Sequence, residues 1–160
     1  MSRRKAREIV LCLVFEKEYQ KESDCEKLYS SLYESERIEE VFGVRSDKDS
    51  LTDTDNKYIK ETFSGICEHL SEIDEVISNS VIGWETGRIS KITMALLRSA
   101  VYELQYAGDV PTSVTINEAV ELSKRYDSAD AYVFVNGVLG AVAKNIGQEV
   151  SAAHTAGGAT

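Results

Sequence analysis

Little in this sequence breaks a helix: a single proline, Pro111, stands in 160 residues. With apolar residues recurring every three or four positions, that scarcity predicts an all-α protein. Histidine is almost as scarce, with only His69 and His154, so metal binding and acid–base catalysis have little material. Neither a metal, a cofactor nor an enzymatic activity is expected. The three cysteines, Cys12, Cys25 and Cys67, are odd in number and form no CxxC pair, which predicts reduced thiols serving as small core residues in the cytoplasm. Long apolar runs are missing too. Ile9 to Phe15 is too short to span a bilayer, and Glu16, Lys17 and Glu18 follow it where a cleavage region would carry small residues, so neither export nor membrane anchoring is expected. Positive charge is also under-supplied, with 18 Lys and Arg against 27 Asp and Glu for a formal net charge of -9. Such a chain repels polyanions at long range, and any nucleic-acid site on it must be local.

One local exception is present. Ser2-Arg3-Arg4-Lys5-Ala6-Arg7 places four cations in five residues just before Ile9 to Phe15. On a helix Arg3, Arg4 and Arg7 share an arc of about 100°, with Lys5 beyond its edge, so three guanidinium groups can face one phosphate backbone together. Arg4 and Glu8 can also pair across one turn. A solvated, frayed chain end is the competing reading.

The length suits one compact domain over residues 1–147, burying roughly two-thirds of the surface that its unfolded form exposes. Helices are predicted from Arg3 to Tyr19, Asp24 to Glu36, Asp55 to Ser80 with a break near Leu70 to Ile73, Ile89 to Tyr106, Ile116 to Tyr126 and Ala131 to Ile146. Gly43 to Asp53 reads as a solvated loop, Gly83 to Gly87 as a second interruption, and Gly108, Asp109 and Pro111 as a third. The small, polar composition of 148–160 predicts a disordered tail.

Three helices carry features that need explaining. Around Leu96, the residues Ile92, Leu96, Ala100 and Leu104 form one stripe with Leu97 and Val101 beside it, and Glu103 projects onto the same apolar face. A carboxylate there must be paired, which makes it a structural ion-pair partner before it is a catalytic group; Arg98 lies well round the helix from it, so each is expected to pair with another element. Thr115 and Glu118 have the spacing of a capping box ahead of Ala119, Val120 and Leu122, while Asn117 points away from that stripe. In the last helix Ala131, Val135, Val138, Leu139, Val142 and Ile146 form the main stripe, and Phe134 lies outside it toward Gly137 and Ala141. Either Gly137 and Gly140 admit a close neighbour with Phe134 plugging the contact, or Phe134 and Tyr132 offer rings on which unpaired bases stack.

Several blocks, in order, resemble the NusB family of bacterial transcription antitermination factors along nearly the whole chain. They are Arg4, Ala6, Arg7 and Glu8 at the start, Trp84 with Arg88 and Ile89, Leu96-Leu97-Arg98 with Ala100 and Tyr102-Glu103-Leu104, Val110-Pro111, Ile116 through Leu122 with Lys124, and Phe134 through Leu139. The resemblance implies about seven helices arranged as two packed bundles, and no catalysis. It also implies binding of boxA, a short single-stranded RNA element, together with NusE, a small-subunit ribosomal protein. The pair acts in an RNA polymerase antitermination complex that supports ribosomal RNA transcription through terminators.

Carried over by position, Arg3, Arg4, Lys5 and Arg7 match the family's arginine-rich RNA-binding start, and Asp130 and Phe134 match the loop and early helix that join its RNA surface. An acidic surface elsewhere suits a basic ribosomal partner. Three departures bear on this. Thr93 stands where relatives commonly carry Asp or Glu, a carboxylate linked to partner contact; Phe15 replaces a tyrosine; and 43–53 and the tail have no clear counterpart. Two other readings are a helical protein–protein adapter that makes no use of the arginines, and a stand-alone relative of the accessory domain of ribosomal RNA cytosine methyltransferases. Whether the chain is a monomer or pairs as a homodimer is left open.

Overall fold

The structure, a computed structural model, describes residues 2–21, 24–34, 37, 51–81 and 89–157, with the side chains of 2, 34 and 148–157 excepted. These form α1 (Ser2–Tyr19), a short α2 (Cys25–Leu28) that runs into a π-helical turn (Tyr29–Glu34), α3 (Asp53–Glu68), α4 (Leu70–Ser80), α5 (Lys91–Tyr106), α6 (Thr112–Tyr126) and α7 (Ala131–Gly157). No strand occurs among the described residues. The predicted loop over 43–50, the end of the predicted second helix at 35–36, and Trp84 with Arg88 lie outside them.

The wide apolar face read from the sequence makes α5 the hub. Ala95, Leu96, Leu97, Ala100 and Val101 are buried, and α5 packs against α1, α3, α4, α6 and α7. On one side α1, α2 and α3 pack on one another, on the other α7 packs on α4 and α6, and α5 joins the two groups. The α7 stripe goes into the core as its period requires, with Val135, Val138, Leu139 and Val142 fully buried. No helix among the described residues is long and apolar enough to cross a membrane.

Local chemistry sets the helix ends, and several differ from expectation. The long predicted helix breaks at His69, which caps α3 and opens α4. A capping box does form, but at the start of α3: Thr52 Oγ1 accepts from the Asp55 amide at 3.1 Å and Asp55 Oδ2 from the Thr52 amide at 3.1 Å. The one expected at Thr115 does not. Pro111, with φ -59°, is already preset for helix entry, so α6 begins at Thr112 and Thr115 is buried inside it. The backbone of α7 continues to Gly157, well into the segment expected to be disordered; Ala152, Ala153 and Ala156 favour helix there.

Two further expectations change on packing. Cys25 and Cys67 are bonded, Sγ–Sγ 2.09 Å, where reduced thiols were expected. Packing of α2 on α3 brings together cysteines 42 residues apart, which spacing alone does not reveal. Cys12 remains a free, buried thiol as a small core residue should. Nothing lies within 4 Å of the position that a Cβ on Gly140 would take, so that glycine admits no close neighbour. Phe134 is half-buried against the core.

Candidate nucleic-acid interface

The cations of α1 do not share one open arc. Each leans on a different neighbouring helix because a carboxylate waits there. Arg3 turns to α3, where its Nε lies 3.7 Å from Asp55 and its guanidinium carbon sits 4.2 Å above the Tyr58 ring. Arg4 turns to α6 and donates from Nε and Nη2 to the two oxygens of Glu118, both at 2.9 Å. That replaces the expected pairing with Glu8. Arg7 turns to α5 and donates to Glu103 at 2.6 and 3.2 Å, and the Tyr58 hydroxyl donates to the same carboxylate at 3.2 Å. The wheel places three arginines on one arc, yet the three packed helices draw them apart.

Glu8 explains the fate of Lys5. This carboxylate is buried, and it gathers Lys5 Nζ at 2.9 Å, the Tyr126 hydroxyl at 3.0 Å and a hydrogen bond from Arg125. Burial and the bond to Glu8 push the Tyr126 hydroxyl up to about 12, and burial together with the Glu8 charge does the same to Cys12, which removes it as a nucleophile at neutral pH. On Arg4's flank, the guanidinium bond holds the Glu118 carboxyl below the usual carboxylate range. Arg98 pairs as the sequence required, donating to Asp74 on α4 at 2.8 and 3.0 Å and to Glu18 on α1 at 2.7 Å.

The end of α6 links α1 to the start of α7. Arg125 and Tyr126 reach back to Glu8, while Lys124 lies 5.0 Å over the ring of Tyr132, itself 37% exposed. Asp130 is exposed in the turn before α7, and its carbonyl accepts from the Val133 amide at 3.2 Å. A strip of cations ending on a ring therefore runs from Arg4 and Lys5 through Arg125 and Lys124 to Tyr132, while Phe134, two residues on in α7, is half-buried against the core. Arg125 is the residue that sequence reasoning missed. Its only signal is its place beside Lys124 in the last turn of α6, since the Glu8 contact spans 117 positions.

Thr93, the departure at the start of α5, is buried and donates to the Asp127 carboxylate at the end of α6. A carboxylate is thus present next to position 93, supplied from another helix. Beside it lies an apolar groove of about 460 Å³ lined by Leu11, Phe15, Tyr19, Lys91, Ile92 and Tyr126. Among the described residues no group of three or more His, Cys, Asp or Glu could hold a metal ion.

A model of the NusB family matches residues 4–144. The transcription antitermination protein NusB of Ruminiclostridium cellulolyticum is 38% identical over 153 residues, covering 95% of this chain and 96% of that one. Its counterpart in Agathobacter rectalis is 38% identical over 139 residues, covering 87% and 97%. Among solved structures, T. maritima NusB superposes with a TM-score of 0.73 at 30% identity, covering 90% of this chain and 92% of that one. A chain in the crystal structure of antitermination factors NusB and NusE in complex with dsRNA has the same fold, with a TM-score of 0.72 at 22% identity over 90% and 97%.

Proposed function

The chain belongs to the NusB family, and we propose that it is a cytoplasmic transcription antitermination factor. It binds boxA-type single-stranded RNA together with NusE, within an RNA polymerase antitermination complex that carries ribosomal RNA transcription through terminators. This is a binding role, and no reaction is assigned to the chain. The observation that carries the RNA half is the strip from Arg4 and Lys5 through Arg125 and Lys124 to Tyr132. Cations spaced along such a strip engage successive phosphates, while the exposed ring of Tyr132 and the ring of Phe134 stack bases and Asp130 accepts from base amino or ribose hydroxyl groups. Arg3 belongs to the same surface at its edge, and Arg7 braces it from below. The apolar groove beside Thr93 and Asp127 is the NusE side of the molecule.

The test is a titration of boxA-type RNA with and without NusE, at two salt concentrations. Affinity is expected to rise with NusE, to fall as salt rises, and to weaken when Arg3, Arg4 and Arg7 are replaced together by alanine. One observation favours the adapter reading: Glu118 already neutralises Arg4 through two hydrogen bonds. If the triple variant bound RNA as well as the parent, alone and with NusE, the arginines would have no RNA role and the adapter reading would stand.

A further inference from the structure

Arg3 and Arg4 are adjacent in sequence but face α3 and α6 respectively. A strand that crosses the first turn of α1 therefore passes from one flank of the helix to the other. On the Arg3 flank it meets a cleft of about 490 Å³ lined by Arg3, Lys57, Tyr58, Tyr102, Tyr106 and Asp109. That volume is within the range of about 300–1,000 Å³ common for small-ligand sites.

The rings of this cleft are held in place. Tyr102 and Tyr106 lie 5.1 Å apart, His69 stacks on Tyr106 at 4.4 Å, and the Tyr106 hydroxyl donates to Glu72 at 2.7 Å. Tyr106 is nonetheless 41% exposed. Gly65 makes room for Tyr102, since a Cβ there would stand 2.2 Å from the Tyr102 hydroxyl. Arg3 is laid over Tyr58 and anchored toward Asp55, yet its side chain is 40% exposed, so it adds a planar cation to the wall.

Charge decides what fits. Asp55 and Glu103 already offset Arg3 and Arg7, and Lys57 stands 3.8 Å from Glu61. With Asp109 also in the wall, the cleft offers no surplus of positive charge for a phosphate. It suits a flat, uncharged group that stacks on phenol and guanidinium planes and donates amino hydrogens to carboxylates. We propose that the cleft takes one unpaired base of the RNA, next to the stretch bound on the Arg4 flank, and that it favours an amino-bearing base over uracil. This rests on the RNA reading above.

The full chain with NusE is titrated with a boxA-type strand and with the same strand lengthened by two nucleotides at either end, as adenosines or as uridines. One adenosine extension is expected to tighten binding at least about fivefold, the low end of what one base–aromatic stack contributes, and uridine less. Tyr106→Ala and, separately, Asp109→Asn, both at exposed positions, should reduce that gain while leaving the affinity for the unextended strand unchanged. Absence of a gain at both ends, or a gain that survives both substitutions, would overturn the proposal; equal gains from adenosine and uridine would overturn its base preference. If the parent bound no strand at all, the RNA reading itself would fail and take this proposal with it.

Discussion

Arg7 of α1 and Glu103 of α5, 96 positions apart, close on each other through hydrogen bonds of 2.6 and 3.2 Å with side chains only 11% and 5% exposed. Burial by itself would lower the Arg7 pKa, but the bond and the charge of Glu103 raise it, so the guanidinium stays protonated. The contact answers how a carboxylate survives on the apolar face of the central helix. It also withdraws one of the four opening cations from solvent.

Breaking that pair leaves an unmatched charge inside the protein, which costs about 3–5 kcal/mol. Glu103→Ala and Arg7→Ala are each expected to lower the urea midpoint accordingly, with the RNA affinity of Glu103→Ala retained per folded molecule. A Glu103→Ala protein of unchanged stability that had lost RNA binding would contradict a structural role.

Arg4 should behave in the opposite way. Its partner Glu118 is reached on an exposed flank, where such pairs are worth about 0–1 kcal/mol. Arg4→Ala is expected to shift the urea midpoint little and to weaken RNA binding measurably in anisotropy titrations. Full RNA affinity in this variant would remove Arg4 from the interface.

Acid should unfold the protein partly through Glu18 and Glu118, whose carboxyls are held low by hydrogen bonds from Arg98 and Arg4. A lowered folded value means that their stabilisation is complete above the unfolded glutamate value of about 4.3 and fades as pH falls through the lower folded one. Urea midpoints should hold from pH 7 to about 5 on this account and then decline. The decline should be shallower in Arg4→Ala, which loses the Glu118 share; an identical acid limb in both proteins would count against it.

Gly65→Ala places a Cβ 2.2 Å from the Tyr102 hydroxyl, with the ring carbons next at 2.4 and 2.5 Å. Overpacking of this kind costs about 1–3 kcal/mol. Combining it with Tyr102→Ala should cost less than the two separate losses added together. Strict additivity in urea midpoints would show that the two residues do not meet.

With Cys25 and Cys67 joined and Cys12 free, a thiol titration of protein unfolded without reductant should find one reactive group per chain. Three would mean that the bond is not made in the isolated protein.

The helices were legible because their periodicity is strong and one proline leaves few alternatives. So was the demand that Glu103 and Arg98 find partners elsewhere, since a charge on a buried face has few other fates. Which partners they find was not, because the answer depends on how α1, α4 and α5 cross. The shared arc of Arg3, Arg4 and Arg7 fails on the same dependence. A helical wheel treats α1 as an isolated cylinder, whereas Asp55, Glu118 and Glu103 arrive from three other helices. Thr115 misled for a more local reason, Pro111 having started the helix a turn earlier.

Asp55, Glu118 and Glu8 stand beside Arg3, Arg4 and Lys5 where dissolved anions would otherwise gather. The protein thereby carries its own counterions. An RNA phosphate that engages Arg4 displaces a tethered carboxylate, which stays on the protein, and frees fewer ions into solution than a bare cation would. Salt should therefore weaken the complex with a slope shallower than the number of phosphate contacts alone implies. Discrimination among strands then falls to base stacking and edge contacts, which ionic strength scarcely alters.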